Sequence, residues 1–125
     1  MAHRILVVDD ETDLLIIAQT ALQTEGYVVE TASNGAAGLA AARRQRPDLI
    51  LLDVMMPDLS GFDVLRELKA DEGLATVPII MLTGISEKSK IQEALDSGID
   101  YYIVKPFDFD DLLRKVGQAL EEPKI

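Results

Sequence analysis

Cysteine is absent from the 125 residues. That excludes a disulfide scaffold, a thiolate metal site and thiol catalysis, so any nucleophile must be oxygen or nitrogen. The redox compartment stays open. Basic residues are scarce: 12 Lys and Arg stand against 22 Asp and Glu, for a formal net charge of -10. Such a chain repels phosphate backbones, and no direct binding of DNA or RNA is expected of it. Long apolar runs are missing too. None approaches the ~20 residues that span a bilayer, and residues 1–4 lead straight into a strand without a signal-peptide core. The expectation is a cytoplasmic protein with no membrane partner. There is no repeat, linker or low-complexity segment, and the length suits a single domain over residues 1–125.

What is present is an apolar fraction of 48%, laid out as strand and helix in alternation. Residues 4–8 form a buried-type strand, and Asp9, Asp10, Glu11 and Asp13 then load acids at the start of a helix, where the macrodipole favours them. Leu14, Ile17, Ala18, Ala21 and Leu22 make an apolar stripe on that helix. Gly26 is expected to end it. Residues 27–31 are a weakly apolar strand, expected at an edge of the sheet. Asn34 caps an alanine-rich helix with Leu39 and Ala40 on one face, expected to run to Arg46 because Pro47 disfavours helix in the residue before it.

The run Ile50, Leu51, Leu52 reads as a strand covered on both faces, and it delivers Asp53 to its carboxyl end. Pro57 and Gly61 close the loop that follows. Phe62, Leu65 and Leu68 trace the third helix, and residues 77–82 form another buried-type strand, closed by Thr83 and Gly84. A loosely anchored helix over 86–97 carries only Ile91, Ala94 and Leu95 as apolar contacts. The last strand covers 100–104, Lys105 and Pro106 break it, and Asp108 caps a final helix carrying Leu112, Leu113, Val116 and Leu120. Residues 121–125 follow it, and fit either a complete single-domain protein or a domain cut from a longer one.

Units of this rhythm predict an α/β fold, a parallel sheet with helices on both faces joined by right-handed crossovers. All strand carboxyl ends then share one edge, where open sheets of this kind place their chemistry. Asp9, Asp10, Asp53, Thr83 and Lys105 fall on that edge. Taken singly each has a plain reading, as a helix start, a turn hydroxyl or a surface charge. Together they are an inventory for phosphoryl transfer to a carboxylate. Two carboxylates ~4 Å apart repel by roughly 4 kcal/mol at an effective dielectric of 20, so protons or a cation must relieve the cluster. All-oxygen donors select a hard cation, Mg²⁺, Mn²⁺ or Ca²⁺. Lys105 can pair with Asp53 or with an incoming anion.

The segments ILVVDDE, DLILLDVMMPDLSGFDVL, PIIMLTG and DYYIVKPF make the sequence resemble the receiver domain of two-component response regulators over essentially its whole length. The resemblance implies a flavodoxin-like (βα)5 three-layer sandwich with strand order 2-1-3-4-5. It implies Asp53 as phosphoacceptor, Asp9 and Asp10 as the acid pair for Mg²⁺ (with Mn²⁺ as a substitute), and the backbone carbonyl of Met55 as a further ligand. Thr83 resembles the switch hydroxyl, Lys105 the phosphoryl-contacting lysine, and Tyr102 the switch aromatic that moves inward with Thr83. Gly84 matches the small residue that keeps the pocket open. Ser60 departs from the commoner acid at its position, with little effect expected on the chemistry. Met55 and Ile85 fall where side chains modulate phosphoryl lifetime.

The implied activity is that of a signalling domain rather than a turnover enzyme. Its partners are a sensor histidine kinase or histidine phosphotransfer protein and a downstream effector, with dimerisation on phosphorylation possible. The face made by the fourth helix, fifth strand and fifth helix would carry the output. The chain break at Lys105 and Pro106 is expected to be cis, as is common in this family. Two rivals fail on particular residues. A haloacid-dehalogenase-like phosphatase needs a second acid where Met55 stands, and a flavodoxin phosphate loop would be repelled by Asp9, Asp10 and Glu11. A degenerate receiver that binds partners without phosphorylation is the remaining alternative.

Overall fold

The apolar strand runs pair as neighbours in one parallel sheet. In the computed structural model, which describes residues 2–121, the strands are β1 (Arg4–Val8), β2 (Val28–Ala32), β3 (Leu49–Leu52), β4 (Ile79–Thr83) and β5 (Tyr101–Val104). Their order is β2-β1-β3-β4-β5, with every pairing parallel. The helices between and after them are α1 (Thr12–Thr24), α2 (Gly35–Arg44), α3 (Gly61–Ala70), α4 (Lys88–Asp96) and α5 (Phe109–Glu121). Residues 122–125, most of the tail read from the sequence, lie outside the described residues. Among those described, no helix is long and apolar enough to cross a membrane.

Alternation along each strand sends side chains to two separate cores. Leu6, Val8, Ile50, Leu52, Ile79 and Met81 pack with buried residues of α2, α3 and α4 on one face. Ile5, Val7, Leu49, Leu51, Ile80 and Leu82 pack with α1 and α5 on the other. A continuous apolar run is what a strand needs when both of its faces are covered. β2 lies at an edge, as its weak hydrophobicity predicts, with Val28 exposed.

Helix ends follow local chemistry. Asn34 accepts the Ala37 N–H at 2.8 Å, and Asp108 accepts that of Asp110 at 2.9 Å. Gly26 takes φ +93° just past α1, the left-handed conformation that glycine adopts freely. Ser60 and Asp63 form a reciprocal capping box at the head of α3. The sequence reading passed over that pair.

Four details correct the sequence reading. On α1 the buried line is Leu15, Ala18 and Leu22, while Ile17 is 51% exposed; four consecutive apolar residues, 14–17, make the helical phase ambiguous. On α2 the covered positions are Gly35, Gly38, Leu39, Ala41 and Ala42, and Ala40 faces solvent. That helix stops at Arg44 because Gln45 is already extended, which gives the chain room to enter β3. The fourth helix starts at Lys88 rather than residue 86, and it buries only Ala94 fully, leaving Leu95 exposed.

Candidate functional site

Four of the five strands, all but the edge strand β2, hand a polar residue to the carboxyl edge. Asp9 follows β1, Asp53 follows β3, Thr83 closes β4 and Lys105 follows β5. Asp9, Asp53 and Thr83 are the buried polar residues among those described. Burial of this kind demands partners. Asp9 Oδ1 accepts the Glu11 N–H at 2.9 Å, and its Oδ2 accepts Lys105 Nζ at 2.8 Å. Asp53 Oδ1 accepts the N–H of Val54 at 2.7 Å and lies 3.4 Å from that of Met55. Its Oδ2 is left facing Lys105 Nζ at 3.4 Å. The Lys105–Pro106 bond is cis, as expected.

The loop that carries Asp53 is pinned from two sides. Gly61 packs so closely on it that a Cβ there would lie 2.4 Å from the Asp53 carbonyl oxygen, so only glycine fits without moving the site. From the other side, Asp58 accepts the N–H groups of Gly35 and Ala36, each at 2.9 Å, and ties the loop to the head of α2.

Carboxylate oxygens of Asp9, Asp10 and Asp53 can be chosen within 4.8 Å of one another. Charge in this cluster is unbalanced, with these acids and Glu11 around a single ammonium. Burial and this imbalance together set both ends of the Lys105–Asp9 contact. Burial pulls the Lys105 amine down, but its bonds to Asp9 and Glu11 and the Asp53 charge outweigh it and hold the amine well above the usual lysine range. Asp9 is raised by burial and by the Asp53 charge, even though Lys105 and the Glu11 N–H pull it down. An all-oxygen donor set with surplus negative charge fits a hard divalent cation.

Thr83, Gly84 and Met55 line the same cleft of about 620 Å³ as Asp53 and Lys105. Thr83 is fully buried, and its hydroxyl lies 3.4 Å from the Ile85 N–H. Tyr102 stands apart from that cleft. Its hydroxyl donates to the Ile85 carbonyl at 2.7 Å, and its ring packs on the core beneath α3 and α4. Burial raises the Tyr102 hydroxyl, with the Asp53 and Glu87 charges as the next causes. Of the residues expected at the site, Asp9, Asp53 and Lys105 are in direct contact, Asp10 and Thr83 border them, and Tyr102 is one layer behind. Glu11 and Asp58 were given no role in the site by the sequence reading, which took Glu11 only as one of the acids at a helix start. Glu11 could have been singled out as a poor capping residue immediately after the acid pair.

A partly buried acid cluster at the carboxyl edge of a 2-1-3-4-5 parallel sheet, with a lysine turned in on it, defines the response-regulator class of signalling domain. The chain belongs to the family described as the response regulator receiver domain, which it matches over residues 5–117. It is 43% identical over 120 residues to the DNA-binding response regulator MtrA of Mycolicibacterium paratuberculosis, covering 96% of this chain and 52% of the relative. It is 39% identical over 117 residues to the DNA-binding dual master transcriptional regulator RpaA of Synechocystis, covering 94% of this chain and 48% of the relative. The chain thus spans about half the length of these curated relatives. Among solved structures, chemotaxis protein CheY4 of Vibrio cholerae superposes with a TM-score of 0.90 at 34% identity, covering 95% of this chain and 99% of that one. The receiver domain of sensor histidine kinase PA1611 from Pseudomonas aeruginosa has a TM-score of 0.88 at 31% identity, covering 98% of this chain and 100% of that one. That structure holds a magnesium ion in its active-site cleft.

Proposed function

We propose that Asp53 is the phosphoacceptor of this receiver domain and takes its phosphoryl group from a phosphohistidine on a sensor histidine kinase or phosphotransfer protein. The observation that carries the reading is the division of labour between the Asp53 oxygens. Oδ1 is fixed by loop N–H groups, while Oδ2 points at Lys105 and the cleft. Attack by Oδ2 forms the P–O bond as the P–N bond to the donor imidazole breaks, and the imidazole leaves with the electron pair and is protonated. Lys105 neutralises charge on the phosphoryl oxygens, and the Thr83 hydroxyl donates to one of them.

Asp9, Asp10 and Asp53, with the backbone carbonyl of Met55, would hold Mg²⁺, with Mn²⁺ as a substitute. When bound, the cation supplies charge neutralisation at the phosphoryl group and offsets the repulsion among the acids. The magnesium ion of the PA1611 receiver supports that choice.

Residues 1–125 would act as one receiver unit. Output would pass through the face of α4, β5 and α5, where Tyr102 holds Ile85 and the thinly buried α4 has little to give up on moving. Several longer relatives are described as DNA-binding regulators. By analogy an effector domain or partner, rather than this acidic surface, would make such contacts.

Intact-protein mass spectrometry after treatment with an acyl phosphate and Mg²⁺ tests the reading. Wild type should gain one phosphoryl group and Asp53→Asn none. Equal labelling of the two would remove Asp53 from the role. No labelling of either would favour a module that binds partners independently of phosphorylation.

A further inference from the structure

Glu11 occupies the N-cap position of α1. Ser, Thr, Asp and Asn are favoured there because a short side chain can accept a free N–H of the first turn. The Glu11 side chain makes no such bond. It reaches the other way, to Lys105 Nζ at 2.7 Å, while its backbone N–H holds Asp9. The helix therefore goes without a side-chain cap, and the residue is tied to two members of the site instead. Lys105 Nζ stands 2.8 Å from Asp9 and 2.7 Å from Glu11, but 3.4 Å from Asp53. The ammonium is drawn to the side of the cluster away from the proposed nucleophile.

Resting on the reading of Asp53 as phosphoacceptor, we propose that Glu11 is a positioning residue acting through Lys105. A cation held by Asp9, Asp10 and Asp53 and the ammonium of Lys105 compete for the same carboxylates. Glu11 offers the amine a partner outside that set, so Lys105 can give up Asp9 without closing on Asp53. With Glu11 neutralised, the amine has only Asp9 and Asp53 to pair with, and it blocks both. Because the Glu11 side chain is 60% exposed, the contact is solvent-screened and its effect is one of tuning.

The test is a double-mutant cycle on the full chain, with Mg²⁺ affinity measured calorimetrically for wild type, Glu11→Gln, Lys105→Met and the double variant. Glu11→Gln should weaken Mg²⁺ binding roughly two- to fivefold, the range an exposed ion pair carries, and the loss should vanish on the Lys105→Met background. A second readout needs no cation. The Asp53 carboxyl ¹³C resonance should move in Glu11→Gln and stay put when the same change is made beside Met at 105. A loss of affinity of the same size on both backgrounds would mean that Glu11 attracts the cation by its own charge, and would overturn the proposal. An unmoved Asp53 resonance would overturn it as well. Neither readout involves phosphoryl transfer, so failure of Asp53 to be labelled by an acyl phosphate is a separate result that bears on the phosphoacceptor reading alone.

Discussion

Asp58 shows how a single exposed residue can fix a functional loop. Its carboxylate accepts the Ala36 and Gly35 N–H groups at the head of α2, and these bonds hold its carboxyl below the usual carboxylate range. Because the folded value lies below the unfolded one of about 3.9, the stabilisation is fully present above that pH. It is lost as pH falls through the folded value. Asp58→Asn copies the shape of the protonated acid. It should lower the melting temperature at pH 7, and the gap to wild type should close as pH is taken below about 4. Thermal melts of both proteins across that range measure it, and a gap that does not change with pH would show that the charge plays no part. Asp58 and Glu11 were both invisible in the sequence as partners. Their contacts lie 23 and 94 positions away along the chain, at the head of α2 and just past β5, and local pattern does not say which distant group a side chain will meet.

At the scale of elements, glycine separates positions that need close approach from positions that do not. Gly35 and Gly38 let α2 settle on Leu59 and Val8, since a Cβ at either would meet those side chains at 2.8 Å. Gly117, inside α5, has nothing within 4 Å of where its Cβ would stand. Gly117→Ala should therefore stabilise the domain by about 1 kcal/mol through helix propensity alone. The expected signature is a higher urea midpoint with an unchanged slope, and a lower midpoint would reveal packing at that position. Element type and order were legible because buried strands and amphipathic helices have different periods. Helix phase was less so. Ile17 and Ala40 are apolar residues that face solvent, and only the sheet decides which side of a helix is covered.

For the whole molecule, the net charge of -10 is partly concentrated where the strands end, in a cluster where the single ammonium of Lys105 is shared among Asp9, Glu11 and Asp53. A cation bound by the native cluster and not by the unfolded chain must raise stability by mass action, by about 2.7 kcal/mol at 100 times its Kd. Melts with and without Mg²⁺ should show a rise for wild type and little for Asp10→Ala. Equal rises would place the ion away from these acids.

The sequence by itself determined the class of this protein. Its parallel sheet, the edge that collects Asp9, Asp53, Thr83 and Lys105, and the polarity of that edge follow from alternating units whose strands must all point one way. Tertiary structure decided the pairing within the edge. Lys105 lies nearer Asp9 and Glu11 than Asp53, the Asp53 oxygens divide between loop and cleft, and Tyr102 takes the Ile85 carbonyl. Periodicity reports which face a residue occupies, whereas these choices depend on distances of a few tenths of an ångström between groups brought together only when the sheet closes.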